Sequence, residues 1–326
     1  MKKIHPTLNR FSTNQPAIPH QPNHMKSTRS NRFLGFLGRF FSASAIVMSF
    51  FGLAQAATLY YDGATTVANG QSNNATTTAQ NWLNGGRWDD GITSAVKTSW
   101  TAGDAAVFGG VTTASTQTIT AGTLTVGNMT FGGGTAGTGT VGKAYTITGG
   151  TLTLSSSTIT ANTNTTISSA LAGTTGLIKA GGTFLVLSGS HSGLSGTTTI
   201  NAGSITMNTA TNTTAIVVNS GGQFYGGWAI PGTTFANTFS ISGTGWVEGG
   251  INNAAIRASN NQIFSGPITL AAASRIGMIE TSAAATFSGK ISGAFALNVQ
   301  GAFNGNAGTQ TFTLANSGTA SDYTGD

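Results

Sequence analysis

The chain has 326 residues, no cysteine, only 7% charged residues and a formal net charge of +6. Without cysteine an exported domain must hold together without disulfides. The positive charge is an N-terminal effect: beyond Ala56 there are seven basic and eight acidic residues, a net charge of −1, which leaves no nucleic-acid footprint.

Residues 1–56 read as a leader. Lys and Arg precede an uncharged apolar run, "FFSASAIVMSFFGL" from Phe40 to Leu53, and "AQAA" comes directly after it. This order of positive region, apolar region and small-residue site is that of a secretory signal peptide. Ala54 and Ala56 are the signal-peptidase recognition residues, cleavage is expected after Ala56, and Met25 is a possible true start. The alternative is an uncleaved anchor over Phe33 to Leu53, which Arg39 interrupts. The expected partner is therefore the export machinery, with no stable membrane span after cleavage.

Residues 57–110 differ in composition from residues 111–326. Trp82, Trp88 and Trp100 cluster there with Asp89, Asp90 and Asp104, and the segment is expected to cap the N-terminal end of the fold. The competing expectation is that the tryptophans are ordinary core residues of the first coils.

From 111 to 326 no amphipathic helix of useful length occurs. Short pieces alternate with period two instead, among them Tyr145-Thr146-Ile147-Thr148, Thr151-Leu152-Thr153-Leu154, Ser204-Ile205-Thr206-Met207 and Thr311-Phe312-Thr313-Leu314. Threonine alternating with an aliphatic or aromatic residue marks a half-buried strand, and Gly pairs such as Gly149-Gly150 and Gly181-Gly182 mark the turns between. Strands this short and closely spaced suit a coil better than a sandwich. Coils of roughly 20 to 25 residues would give about ten to twelve turns.

Low charge fits a coil for a physical reason. Equivalent residues on successive turns stack at about 4.8 Å, where two like charges repel by about 0.9 kcal/mol even in water. Neutral Thr, Ser and Asn columns avoid that repulsion and hydrogen-bond along the axis.

The segment "GLIKAGGTFLVLSGSHSGLSGTTTINAG" has looser echoes in "ISGAFALNVQG" from Ile291 and in "TFTLANSGTASDYTGD" from Thr311. With Leu177, Lys179, Gly181, Leu185, Leu187, Ser188, Gly189, Gly196, Thr197, Thr198, Ile200 and Gly203 in place, it resembles the autotransporter-associated β-strand repeat proteins. The resemblance implies an all-β, right-handed parallel β-helix (a β-solenoid). It also implies a passenger domain carried to the cell outer membrane, at the cell surface or outside a Gram-negative-type bacterium. The expected role is structural or adhesive, as an adhesin without an identified ligand. Its expected partners are glycans, extracellular matrix or identical chains meeting at an uncapped C-terminal end. The repeats are expected to be truncated there, since no translocation barrel comes after Asp326.

Catalysis is not expected, and neither are a cofactor or a metal. Asp89, Asp90 and Asp104 are the best candidates for a carboxylate pair, yet "GGRWDDG" reads first as a turn whose aspartates satisfy backbone groups. The same aspartates lack the glycine-aspartate repeat of calcium-binding β-rolls. His191, between Ser190 and Ser192, reads as a polar turn residue because the nucleophile-elbow pattern is absent. "GGGTAG" from Gly132 formally matches a dinucleotide-binding pattern but leads into strands, not a helix. Lys179 is expected to lay its stem along the coil and keep its ammonium in water. Two alternative functions are a carbohydrate-active β-helix enzyme and a self-assembling extracellular matrix component.

Overall fold

A computed structural model describes residues 56–61, 80–84, 86–90, 98–109, 116–132, 144–207, 215–227, 230–278, 284–301, 309–315 and 321–325. Residues 1–55, with Ala54 and the apolar run, lie outside the described residues; Ala56 is exposed. All regular structure described is β, and the strands wind as a parallel β-helix with three faces.

Ten strands stack in parallel on the first face. They are Thr58–Tyr61, Ala105–Phe108, Met129–Phe131, Thr158–Ala161, Leu177–Ala180, Thr198–Ile200, Ile216–Val218, Phe239–Gly243, the start of Ile268–Met278, and Ile291–Ser292. The second face runs from Gln80–Asn81 through Gln117–Thr120, Tyr145–Thr148, Thr165–Ile167, Phe184–Leu187, Gly203–Met207, Gly222–Tyr225 and Ile256–Ala258, to the end of Ile268–Met278 and Leu297–Gln300. The third face consists of two separate four-stranded ladders. One joins Leu124–Val126 to Gly193–Leu194, the other Thr234–Phe235 to Thr311–Leu314.

Coil length varies. Ile159, Lys179 and Ile200 are in register, so those coils take twenty and twenty-one residues. The first, from Thr58 to Ala105, takes 47. The count of ten first-face strands agrees with the number of turns expected from the sequence.

Alternation decides what points inward. Most short strands place one or two apolar residues inside and their threonines outside, Thr165 and Thr198 being turned inward among the apolar set, and the inside apolar residues form one continuous core from Leu59 to Ile291. Because the strands are parallel and in register, like stacks on like. Phe108 lies on Phe131 with centroids 4.8 Å apart and planes 5° apart, and Phe264 on Phe287 at 4.8 Å and 9°. That separation is the spacing of paired strands, so the ladder itself sets the ring contact.

The corners between faces are tight. Gly150 turns with φ +61°, and a Cβ there would sit 2.0 Å from the Gly122 carbonyl oxygen of the preceding coil. Only glycine lets the two corners approach at that conformation.

Buried polar side chains tie these corners together. Gln223 Nε2 donates to the carbonyls of Asn253 and Ala254 at 2.7 and 3.1 Å, and Gln262 Nε2 to those of Gly226 and Gly227 at 2.9 and 2.7 Å. On the surface, Asn219 Nδ2 donates to Asn201 Oδ1 of the neighbouring coil at 2.7 Å, a step of the neutral ladder anticipated from the sequence.

The ends differ. Trp88–Asp89 pairs antiparallel with Thr58–Tyr61 and so covers the edge of the first strand that faces away from the coil. Trp82 and Trp88 are fully buried, and their rings pack with Trp100, Tyr61 and Phe108 at centroid distances of 4.8 to 5.8 Å. At the other end Val299 and Leu314 continue the inward ladders of Ile276 and Phe287 but are 42% and 50% exposed. There the Asp322 and Thr324 N–H groups donate to the carbonyls of Ile291 and Gly293, and Lys290 meets Asp322 at 2.7 Å.

Candidate functional site

The outward residues of the second face form a groove of about 530 Å3, within the range of ligand-binding clefts. Its floor is a ladder in strict register: Thr146, Thr166, Val186, Thr206, Tyr225 and Arg257. Thr116 and Asn164 line its rim and Phe184 rises from its middle. The groove spans six successive strands, a run of about 24 Å at the spacing of paired strands.

Its far end is built by a loop that leaves the coil. Between the first-face strand Phe239–Gly243 and the second-face strand Ile256–Ala258 the chain makes a small antiparallel hairpin, Val247–Glu248 against Ile251–Asn252. That excursion brings Trp246 edge-on to Phe184, with centroids 4.6 Å apart, across some sixty residues of sequence. It also carries Glu248 to Arg257: the guanidinium Nη1 meets the carboxylate Oε2 at 3.1 Å, and Asn253 Nδ2 donates to the same oxygen at 3.0 Å.

Arg257 stacks over the Tyr225 ring at 4.2 Å from its centroid, because the two residues are ladder partners. The cation is thus held by an aromatic face and a carboxylate together. Its Nε has no hydrogen-bond partner among the described residues. Arg275 on the same face sits out of register with Arg257, opposite Asn298, so the two positive charges do not stack.

The aspartates singled out in the sequence sit in three different settings. Asp104 uses both oxygens on backbone, accepting from the Ala57 and Thr101 N–H groups at 2.8 and 2.9 Å. The turn role was expected of Asp89 and Asp90 in "GGRWDDG", and Asp89 lies in a strand instead. Asp89 is buried in the antiparallel strand opposite Tyr60, while Asp90 is exposed. Among the described residues no group of three or more His, Cys, Asp or Glu side chains is placed to hold a metal ion. "GGGTAG" contributes only Gly132 to the described residues.

His191 opens a turn, as expected, its carbonyl accepting from the Leu194 N–H at 2.9 Å, but its side chain is in the core, 1% exposed. Its Nε2 lies 3.2 Å from the Leu187 carbonyl and its Nδ1 has no partner among the described residues. Ser190 and Ser192 hydrogen-bond to each other at 3.1 Å. Burial lowers the His191 pKa, with the Leu187 contact opposing. A folded pKa below the unfolded value means that the unfolded chain binds the extra proton first, so stability is lost as pH falls below about 6.5. His191→Gln is expected to flatten that acid slope, measured as the urea midpoint at pH 7.5 and pH 5.5. An unchanged slope would show that other groups set it.

Lys179 departs furthest from its sequence reading. Its side chain is not solvated but fully buried between Ile159 and Ile200 of the inward ladder. The ammonium donates to the carbonyls of Ala180, Gly181 and Ala202 at 3.0, 2.7 and 2.9 Å, joining the corner of its own coil to that of the next. Position 203 is glycine for want of space, since at its φ of +67° a Cβ would lie 2.5 Å from the Gly181 and Thr183 carbonyl oxygens as well as 2.7 Å from Nζ. Burial pushes the lysine pKa down to about 7. The three carbonyls favour the charged form and oppose that shift.

Sequence reasoning placed Thr146 and Thr206 on strands without bringing them together. A usable signal existed in the repeated twenty-residue step from Thr146 to Thr166, Val186 and Thr206. No family model, curated protein or solved structure matches the chain.

Proposed function

We propose that the chain is an exported surface passenger of an autotransporter-like system, acting by adhesion and not by turnover. The observation that supports this reading best is the second-face groove, a ladder six strands long with three threonines in its floor, an aromatic wall and one internally balanced ion pair. Such a surface makes many weak contacts with an extended partner in place of a few strong ones at a reacting atom. The coil repeats in "GLIKAGGTFLVLSGSHSGLSGTTTINAG" and the leader ending at Ala56 support the export route.

Expression of the full chain in a Gram-negative host tests this. The exported product is expected to begin at Ala57, to be accessible to protease on intact cells, and to increase their retention on glycan- or matrix-coated surfaces. Retention equal to that of cells lacking the chain would overturn the adhesive role. Polysaccharide turnover lost on replacing Asp89, Asp90 and Asp104 would establish the enzyme reading instead.

A further inference from the structure

We infer that the second-face groove receives a neutral oligosaccharide lying along the coil axis; this assignment rests on the adhesive reading above. Three features of the groove select that class of ligand.

The first is what the face has left to offer. Backbone N–H and C=O groups on these strands are consumed in the ladders between coils, so a ligand lying on the face meets side chains. An extended peptide adds itself to an open strand edge. Here the edges of each inner strand are paired on both sides, and the surface presents the Thr146 and Thr166 hydroxyls with the Asn164 amide. Hydroxyls and amides both donate and accept, which matches a ligand whose own groups are hydroxyls.

The second is the wall. Phe184 is half-buried, lines the groove and is held in orientation by the Trp246 edge at 4.6 Å. A fixed aromatic ring beside a row of hydroxyls complements a sugar ring, which has an apolar C–H face and a polar rim. Tyr225 is not available for this purpose because Arg257 covers its face.

The third is charge. Arg257 is the cation lining the groove, and Glu248 balances it at 3.1 Å. A carboxylate or sulfate on the ligand would have to compete with Glu248 for that guanidinium, which is only 6% exposed. An uncharged chain meets no such competition. The length of about 24 Å favours an oligomer over a single sugar.

Calorimetric titration of the full chain with cello-, laminari- and malto-hexaose, and with hexagalacturonate as the acidic counterpart, tests the assignment. At least one neutral hexasaccharide is expected to bind, and hexagalacturonate to bind at least about tenfold more weakly. Thr166→Val removes one hydroxyl at constant volume and is expected to weaken binding about three- to tenfold. Phe184→Ala is expected to weaken it about tenfold or more, and Thr146→Val serves as a second near-isosteric probe should Phe184→Ala fold poorly.

Failure of every neutral hexasaccharide to bind overturns the assignment, as does preference for the acidic one or binding that Thr166→Val and Thr146→Val both leave unchanged. Cell adhesion that persists through such a failure leaves the adhesive role standing. Absence of adhesion alongside intact hexasaccharide binding removes that role and keeps the groove as a glycan site.

Discussion

Trp88→Ala is expected to lower the unfolding free energy by about 3–5 kcal/mol, the range for emptying a large aromatic site from a core. Trp88 is fully buried and touches Trp82, Trp100, Tyr61 and Phe108, so four rings lose a partner at once. Its indole Nε1–H also donates to the Trp82 carbonyl at 2.8 Å, and that acceptor is left without it. The indole carries a second consequence because Trp88 belongs to the strand that covers the edge of Thr58–Tyr61. Loosening that strand uncovers N–H and C=O groups that another chain can pair with. Urea unfolding should therefore show a reduced midpoint, and light scattering should show association that grows with concentration. Trp88→Phe, which keeps a ring in place, should do less on both counts. A loss under about 1 kcal/mol would mean that the aromatic cluster collapses without cost and the first coil does not depend on it.

Lys179→Met is expected to cost about 3 kcal/mol, against the simple view that methionine belongs in an aliphatic stack and lysine does not. Methionine removes the penalty of holding a charge between Ile159 and Ile200. It also strands the carbonyls of Ala180, Gly181 and Ala202, and each unsatisfied acceptor costs about 1–3 kcal/mol. Three acceptors outweigh one relieved charge whose protons were already matched. The pH dependence separates this account from a loss of packing. Burial lowers the folded lysine pKa to about 7 from an ordinary value of 10.5. Between those values the unfolded chain holds a proton that the folded chain lacks, so stability rises with pH across that window and is level below it. The Lys179→Met variant should lose this rise. Unfolding midpoints between pH 6.5 and 10 read it directly, and a parallel rise in both proteins would refute the buried-ammonium account.

The fold was legible because the local signal and the global architecture agree. Tyr145-Thr146-Ile147-Thr148 and Thr151-Leu152-Thr153-Leu154 alternate as strands that bury one side, and the inward set is the one alternation selects. The position of Lys179 was not legible. In Leu177-Ile178-Lys179-Ala180 three of four residues are apolar, so period two fits either phase. The folded chain buries Leu177 and Lys179 and turns Ile178 outward between Thr158 and Thr199. Neighbouring coils fix the phase, not the residue type. The groove was hidden for a related reason. Its threonines recur every twenty residues, but the step from Tyr225 to Arg257 is lengthened by the hairpin that carries Trp246 and Glu248, and no local pattern announces an insertion of that kind. The aspartates, by contrast, attracted notice by their chemistry, and Asp104 proved to serve the backbone.

Among the described residues the parallel ladders join each coil to the coil before it and the coil after it, and the Lys179, Gln223 and Gln262 fasteners likewise reach across single boundaries. Stability in such an arrangement is a nearest-neighbour sum, like that of a row of linked spins. A defect at one boundary therefore divides the protein into blocks that melt separately, and the length of chain lost to damage is set by the distance to the next sound junction.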